Sequence, residues 1–507
     1  MSDMYDIDQC IWPHSNNSDS FFMDDDEYRY AFSPPFFATD ASLEISSTMQ
    51  QYLGSIFSDE CMEFPRLVEE VHEDYSREDL QIDFDEFDHI FEDDMDHDRA
   101  MDVPHASMQI SQLLEEEEID SEGCLLHLLV AYAEAIDKQE TLLSGVIVEH
   151  MIKKVNPVGG IVDRIMYYMF RHLYKESDYL VKECLSNFYA AFKAFYQILP
   201  YGRFAHLVAN SAIIENMPSH VDIIHVFDFD IGEGIQISFL LEEMKDHRCK
   251  EVRVISVRLG EDGEFFSHSI WNFEETKIRI CNEARSCGID MTVEEVGFMD
   301  LGCKMKNIEK ECYGRKSWHI FNCMVGLPHM GRIRSKKCVL KFLQVAKDFL
   351  QNVRNCETGF SKGIITYGDG DTWCGNMTNC VDYTTFLDSN VRRFRAFLES
   401  LEFSFPYRLG EARVALESLF VAPYFSSITL ERKWEENKQC GGVDQLVESL
   451  GMEGLRLSEK CMLEASEMVR EGDDNSPYGV RFMSEKKNEM GLHWRGTPLV
   501  RVSCWKR

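Results

Sequence analysis

Apolar positions change their spacing twice along this chain. Residues 124–199 carry them at helical intervals, whereas from residue 221 onward short apolar runs alternate with helix-length amphipathic tracts. In Cys124-Leu-Leu-His-Leu-Leu-Val-Ala-Tyr-Ala-Glu-Ala-Ile136, the side chains of Leu125, Leu128, Leu129, Tyr132 and Ile136 fall on one face. A second helical tract runs over residues 161–199 and closes at Pro200. Residues 221–229, Val-Asp-Ile-Ile-His-Val-Phe-Asp-Phe, form an apolar run ending in acid and glycine, the pattern of a parallel strand buried on both faces. Further strands are expected over 252–259, 318–324 and 363–367, with helices over 339–352 and 391–401. This alternation predicts an α/β fold with a doubly wound, mostly parallel sheet. Close-spaced runs over 479–484, 489–494 and 499–505, punctuated by Gly491 and by Gly496-Thr-Pro498, predict an antiparallel edge at the C-terminal end of the sheet.

Charge separates the first quarter from the rest. The chain has 507 residues and a formal net charge of −36, but residues 1–120 alone hold 34 acids against 4 bases. Residues 121–507 are therefore close to neutral. Self-repulsion opposes collapse of the arm, which is expected to be largely disordered. Within it Leu80, Phe84, Phe87 and Phe91 recur at helical spacing among acids. Such a composition suits a transcriptional activation segment, and equally a solubilising tail. The 17 cysteines include no C-x-x-C pair, so reduced, intracellular thiols are expected. The acidic opening Met1-Ser-Asp-Met-Tyr-Asp6 and the lack of a run of about 18 apolar residues predict neither secretory signal nor membrane span.

Candidate chemistry centres on Asp228-Phe-Asp-Ile-Gly-Glu-Gly-Ile-Gln236. An acid followed by Gly232 and Gly234 at a strand's carboxyl end is where α/β proteins admit a nucleotide, which makes an S-adenosylmethionine-dependent methyltransferase the enzymatic alternative. The match with Asp230, Gly232 and Gly234 is partial. Gln236 stands where a third glycine is expected, and the second strand ends in Arg258, whose guanidinium cannot accept hydrogen bonds from a ribose. A crevice inherited with the fold but without cofactor is the favoured reading, and no catalytic constellation or metal site is expected. Tyr367-Gly-Asp-Gly-Asp371 lacks the rest of a calcium loop and reads as an acidic turn. Leu125-Leu-His-Leu-Leu129 has the spacing of a partner-docking helix, although such a stripe more often serves as core. Arg332, Arg334, Lys336 and Lys337 form a basic cluster suited to phosphates or to nuclear import, with solvation as the plain alternative; Arg392, Arg393 and Arg395 form a second.

Four motifs, in order, resemble those of the plant GRAS regulators. Ile224-His-Val-Phe-Asp228 resembles the VHIID signature, placing Ile224, His225, Val226, Phe227 and Asp228 in that motif. Leu199-Pro-Tyr-Gly-Arg-Phe-Ala-His-Leu-Val-Ala-Asn-Ser-Ala-Ile-Ile-Glu215 resembles the helix before it. Ala412-Arg-Val-Ala-Leu-Glu-Ser-Leu-Phe-Val-Ala-Pro423 is similar to the tract after the PFYRE region. Trp494-Arg-Gly-Thr-Pro-Leu-Val-Arg-Val-Ser-Cys-Trp505 resembles the terminal SAW motif, with Trp494, Pro498, Ser503 and Trp505 in the matching positions. Residues 124–136 resemble the first leucine-rich region, and Phe321-Asn-Cys-Met-Val-Gly-Leu-Pro-His-Met330 is most similar to the nodulation-signalling-pathway branch. Ile237, where many members have tryptophan, and Cys504, in place of alanine, depart from the pattern.

The resemblance implies a methyltransferase-like core, residues 216–507, under an α-helical cap to which residues 121–215 contribute. It further implies a nuclear transcription regulator without cofactor that works through other GRAS proteins and transcription regulators, as a hetero- or homodimer, with symbiotic signalling as the branch's field. Leu125, Leu128, Leu129 and Tyr132 would then serve the partner. Promoter DNA would be bound weakly or with a partner's help, or, in an adaptor, not at all.

Overall fold

The computed structural model describes residues 121–506 except 157, 171–187, 250, 259–271, 328–333, 353–362, 371–381, 406–412, 415, 441–450 and 471–474. The acidic arm and its aromatic stripe, Arg332, Asp371 and the middle of the tract 161–199 lie outside the described residues.

Five strands run parallel. They are β1 (Ile223–Phe229), β2 (Glu251–Arg258), β3 (Asp290–Gly297), β4 (Ser317–Val325) and β5 (Gly363–Asp369). After them come a short β6 (Glu453–Gly454) and three strands, β7 (Tyr478–Phe482), β8 (Glu489–Trp494) and β9 (Thr497–Lys506), that extend the sheet antiparallel. The order is β3-β2-β1-β4-β5-β9-β8-β7, with β6 on β9. The last strand thus enters beside β5, so the antiparallel edge expected from the sequence is built inward from β9. Every residue of β1 is buried, as a run of β-branched and aromatic residues requires at the centre of a covered sheet. The pattern expected no strand at β3. It is the edge strand, and Asp-Met-Thr-Val-Glu-Glu-Val-Gly keeps its acids in water, leaving no unbroken apolar run to read.

Two cores follow from the pleat. Phe227, Phe229, Phe321 and Ile365 point to one face, where α8 (Leu301–Glu311) and α9 (Lys336–Asn352) cover them. Ile224, Val226, Ile320 and Ile364 point to the other, covered by α5 (Pro200–Asn216), α6 (Ile235–Met244), α7 (Phe273–Ser286) and α13 (Glu459–Arg470). Pro200 does more than end a helix: it occupies the first turn of α5, where a missing N–H is tolerated. Asn272 caps α7, accepting from the backbone N–H of Glu274 at 3.0 Å.

The helical layer is assembled from both ends of the sequence rather than from residues 121–215 alone. α1 (Ser121–Asp137), α2 (Thr141–Ile152), α3 (Ile161–Met169) and α4 (Phe188–Ile198) are joined by α10 (Tyr383–Ser404), the π-turn Glu417–Val421, α11 (Ala422–Phe425) and α12 (Ser427–Cys440). Asp137, at the end of α1, accepts from the backbone N–H groups of Tyr383 (2.6 Å) and Thr384 (3.0 Å), tying it to the start of α10. Arg164 of α3 is fully buried and bidentate on Glu417 (2.9 and 3.2 Å), to which the Tyr168 hydroxyl also donates at 2.7 Å. A buried charge pair of this geometry fixes how α3 meets the π-turn more than it adds stability.

Candidate functional site

The candidate crevice lies where the strand order reverses, beyond the carboxyl ends of β1 and β4. The structure brings together Asp228, Asp230, Gly232 and Gly234 there, as the motif predicts, but fills the space between them. Gln236, in place of the third glycine, points inward. Its amide nitrogen donates to Oδ1 of Asn210 (3.2 Å) and of Asn322 (3.1 Å). Asn322 returns a hydrogen bond from Nδ2 to Gln236 Oε1 at 2.9 Å and donates its other proton to Asp228 Oδ2 at 2.7 Å. Thr366 Oγ1 donates to Asn322 Oδ1 at 2.7 Å, and Asn210 Nδ2 to the Gln236 carbonyl at 3.1 Å. Both protons and both lone pairs of the Asn322 amide are therefore used. Phe192 of α4 and His206 of α5 close the crevice from the helical layer, and the gap that remains has room for about one water.

The glycines of the loop serve the protein's own packing. Gly234 has φ +76°, and a Cβ on it would lie 2.9 Å from Thr276 Cγ2 and 3.2 Å from Ile280 Cγ2. The clearance that a bound nucleotide would need is taken by α7. Thr276 Oγ1 donates to the Gly232 carbonyl at 3.1 Å, and Arg279 pairs with Glu233 at 2.9 Å. Burial pushes the carboxyl of Asp228 up to about 7, against the Asn322 hydrogen bond and with help from Asp230. Burial likewise carries Glu233 to about 7, against Arg279. Arg258 is not part of the crevice; its exposed side chain pairs with Glu295 on β3 at 3.3 Å.

Within the VHIID-like stretch, Ile224 and Val226 join one core and Phe227 the other. His225 stacks on His319 across β1 and β4, with centroids 5.1 Å apart. Burial lowers both imidazoles to about 3, with Arg253, Arg315 and Lys304 acting further on His225, and His225 on His319. The SAW-like residues also hold the fold. Trp494 donates from Nε1 to Glu399 at 3.1 Å with Tyr478 edge-on to its ring. Trp505 donates to Ser503 at 3.1 Å, and Pro498 faces His493 where the β8–β9 register slips.

Burial and pairing locate two of the candidate stretches. The leucine stripe is not a surface: Leu125, Leu128, Leu129 and Tyr132 are buried in the chain's own core, and Tyr132 donates to Glu431 of α12 at 2.8 Å. The apolar side chains that α1 and α2 do expose are Val130 and Leu142. Nor do Arg334 and Lys336 form a basic patch with Lys337. Arg334 binds Asp230 at the crevice, its Nε 2.8 Å from Oδ2, and Lys336 donates to Asn437 at 2.7 Å, so of the described members only Lys337 is exposed. In the second cluster, Arg392 pairs with Asp388 (2.7 Å) and Arg395 with Glu122 (3.1 Å). Sequence reasoning missed Asn210, Asn322 and Thr366, which come from three separate elements and carry no local signal. Among the described residues no group of three or more His, Cys, Asp or Glu is placed to hold a metal ion, and no helix is long and apolar enough to cross a membrane.

A doubly wound sheet with an inserted antiparallel strand, a plugged nucleotide crevice and a helical layer define the architecture, and comparison with known proteins places it. Residues 125–506 match the GRAS domain family, and the chain belongs to that family. It is 26% identical over 328 residues to Protein NODULATION SIGNALING PATHWAY 2 of Lotus japonicus, and 26% identical over 321 residues to the protein of that name in Medicago truncatula. Each match covers 62% of this chain and 58% of the relative's length. The crystal structure of SCL7 in Oryza sativa superposes with a TM-score of 0.53 at 19% identity, covering 75% of this chain and 99% of that one, which supports the fold.

Proposed function

We propose that this chain is a non-enzymatic nuclear transcription regulator of the GRAS type, acting through association with other regulators, GRAS proteins among them, in signalling related to that of its nodulation-pathway relatives. One observation carries the non-enzymatic part: Gln236, in place of the glycine of a nucleotide loop, turns its side chain inward and is held there by Asn322 and Asn210. The sheet then acts as a rigid scaffold. Internal use of Arg334 and Lys336 favours an adaptor over direct contact with promoter DNA through residues 332–337. Partner association falls to the exposed side of α1 and α2, with Leu125, Leu128, Leu129 and Tyr132 holding α1 in place beneath it.

The test is co-precipitation with a GRAS partner. Val130→Glu combined with Leu142→Glu, both exposed at present, should reduce recovery of the partner about tenfold, the effect of about 1.4 kcal/mol, while the melting temperature stays unchanged. Full recovery by the folded double variant would remove this face from the partner surface.

A further inference from the structure

The fold assembles a basic surface that the sequence does not show as one patch. Residues 301–352 hold eleven Lys and Arg against three Asp and Glu, in a chain whose total is −36. They supply α8 and α9, which lie on the same side of the sheet, opposite the helical layer. Lys306, Lys310, Lys337 and Lys341 are exposed on these helices, with Lys316 just beyond α8, and no ion pair is formed by any of them among the described residues. Lys304 is bound by Glu294. Of the three acids, Glu311 is engaged by Arg253 and Asp348 accepts from Gln344, leaving Glu309, with the exposed Asp300 just before α8, as the local opposition. The surface also carries two of the most exposed large apolar side chains, Met299 (90%) before α8 and Tyr313 (93%) after it. Cations bordered by exposed apolar groups match a ligand that is both acidic and aromatic better than they match a bare phosphate backbone.

Such a ligand is present in the same chain. Residues 69–98 hold fifteen acids and one base, and include the stripe Leu80, Phe84, Phe87 and Phe91. From residue 98 to the start of α1 at Ser121 the connecting stretch can span roughly 75 Å when extended, enough to reach the far face of the sheet. Tethering raises the local concentration of the segment to the order of millimolar. We propose that residues 69–98 dock on the α8–α9 face, acids on the lysines and aromatic stripe on Met299 and Tyr313. The docked segment is thereby withheld from other proteins, and the face from other polyanions, until a competitor displaces it. This inference goes beyond the regulatory reading above and does not depend on it.

The experiment is zero-length carbodiimide cross-linking of the full chain, which joins a lysine amine to a carboxylate in contact with it, followed by peptide mass spectrometry. At about 50 mM NaCl, links should join Lys306, Lys310, Lys337 or Lys341 to carboxylates within 69–98. At about 500 mM they should fall roughly fivefold, since the screening length drops to a few ångströms. Neutralising the segment in place, with Asp83→Asn, Asp85→Asn, Glu86→Gln and Asp88→Asn, should lower the same links without touching the folded body. The proposal is overturned if those lysines give no links to the segment at low salt, if the links resist salt, or if a mixture of isotopically light and heavy chains shows them to be intermolecular. It is also overturned if the wild-type chain binds a DNA duplex with micromolar affinity at about 150 mM salt and loses it on Lys337→Glu with Lys341→Glu.

Discussion

Asn322 stands at the centre of the polar network, with Gln236, Asp228 and Thr366 all depending on its amide. Removing that amide strands three polar groups in a site with room for about one water, and each unsatisfied buried group costs about 1–3 kcal/mol. Asn322→Ala is therefore expected to lose about 3 kcal/mol, read as a lower urea midpoint at unchanged slope. Gly234→Ala should be destabilised as well, because the new Cβ meets Thr276 at a backbone angle of φ +76° that only glycine adopts freely. Wild-type midpoints for both variants would mean that the crevice is loose rather than plugged. At this scale the sequence exposed one half of the site. Gln236 is conspicuous because it sits in a motif that wants glycine, whereas its partners lie 26 and 86 positions away and could be paired only by the fold.

Strand pairing sets the next level. The β1–β4 register places His225 opposite His319, and their Nδ1 atoms find no hydrogen-bond partner among the described residues. Both rings are neutral in the fold, with pKa lowered to about 3, while an unfolded imidazole takes up its proton near 6.5. Below about pH 6.5 the unfolded chain binds more protons, so this pair loses stability as pH falls toward 3. Asp228 and Glu233 act with the opposite sign: raised to about 7, they lose stability as pH rises from about 4 through 7. The histidine contribution is isolated by comparing the wild type with His225→Asn, His319→Asn. Between pH 7 and 5.5 the variant should lose about 2 kcal/mol less than the wild type in urea melts; equal losses would show that the pair titrates normally in the fold. Elements themselves were largely readable, because β1, β2, β4 and β5 are apolar runs in a covered sheet. β3 escaped, since an edge strand with exposed acids lacks that signature. The leucine stripe of α1 had two readings that periodicity could not separate, and burial settled where those side chains lie.

For the molecule as a whole, alternation of strand and helix was enough to anticipate a doubly wound sheet, and four ordered motifs to anticipate the family. What the linear order concealed is how distant segments share a layer. The helical layer takes α10 to α12 from late in the chain, and the basic residues 332–337 separate into a crevice contact, a helix contact and an exposed lysine, Lys337, which joins the lysines of α8 and α9 on one face. Charge is therefore organised by the fold, with the acid excess in residues 1–120 and four exposed lysines, Lys306, Lys310, Lys337 and Lys341, on α8 and α9. The regulatory reading rests on a crevice beyond β1 and β4 in which the protein's own polar side chains bind one another. Isothermal titration calorimetry of the full chain with S-adenosylmethionine examines that occupation directly. No binding heat is predicted at ligand concentrations up to about 1 mM, the limit of weak affinity. A micromolar dissociation constant that disappears on Gly234→Ala would contradict the account and return the crevice to an enzyme.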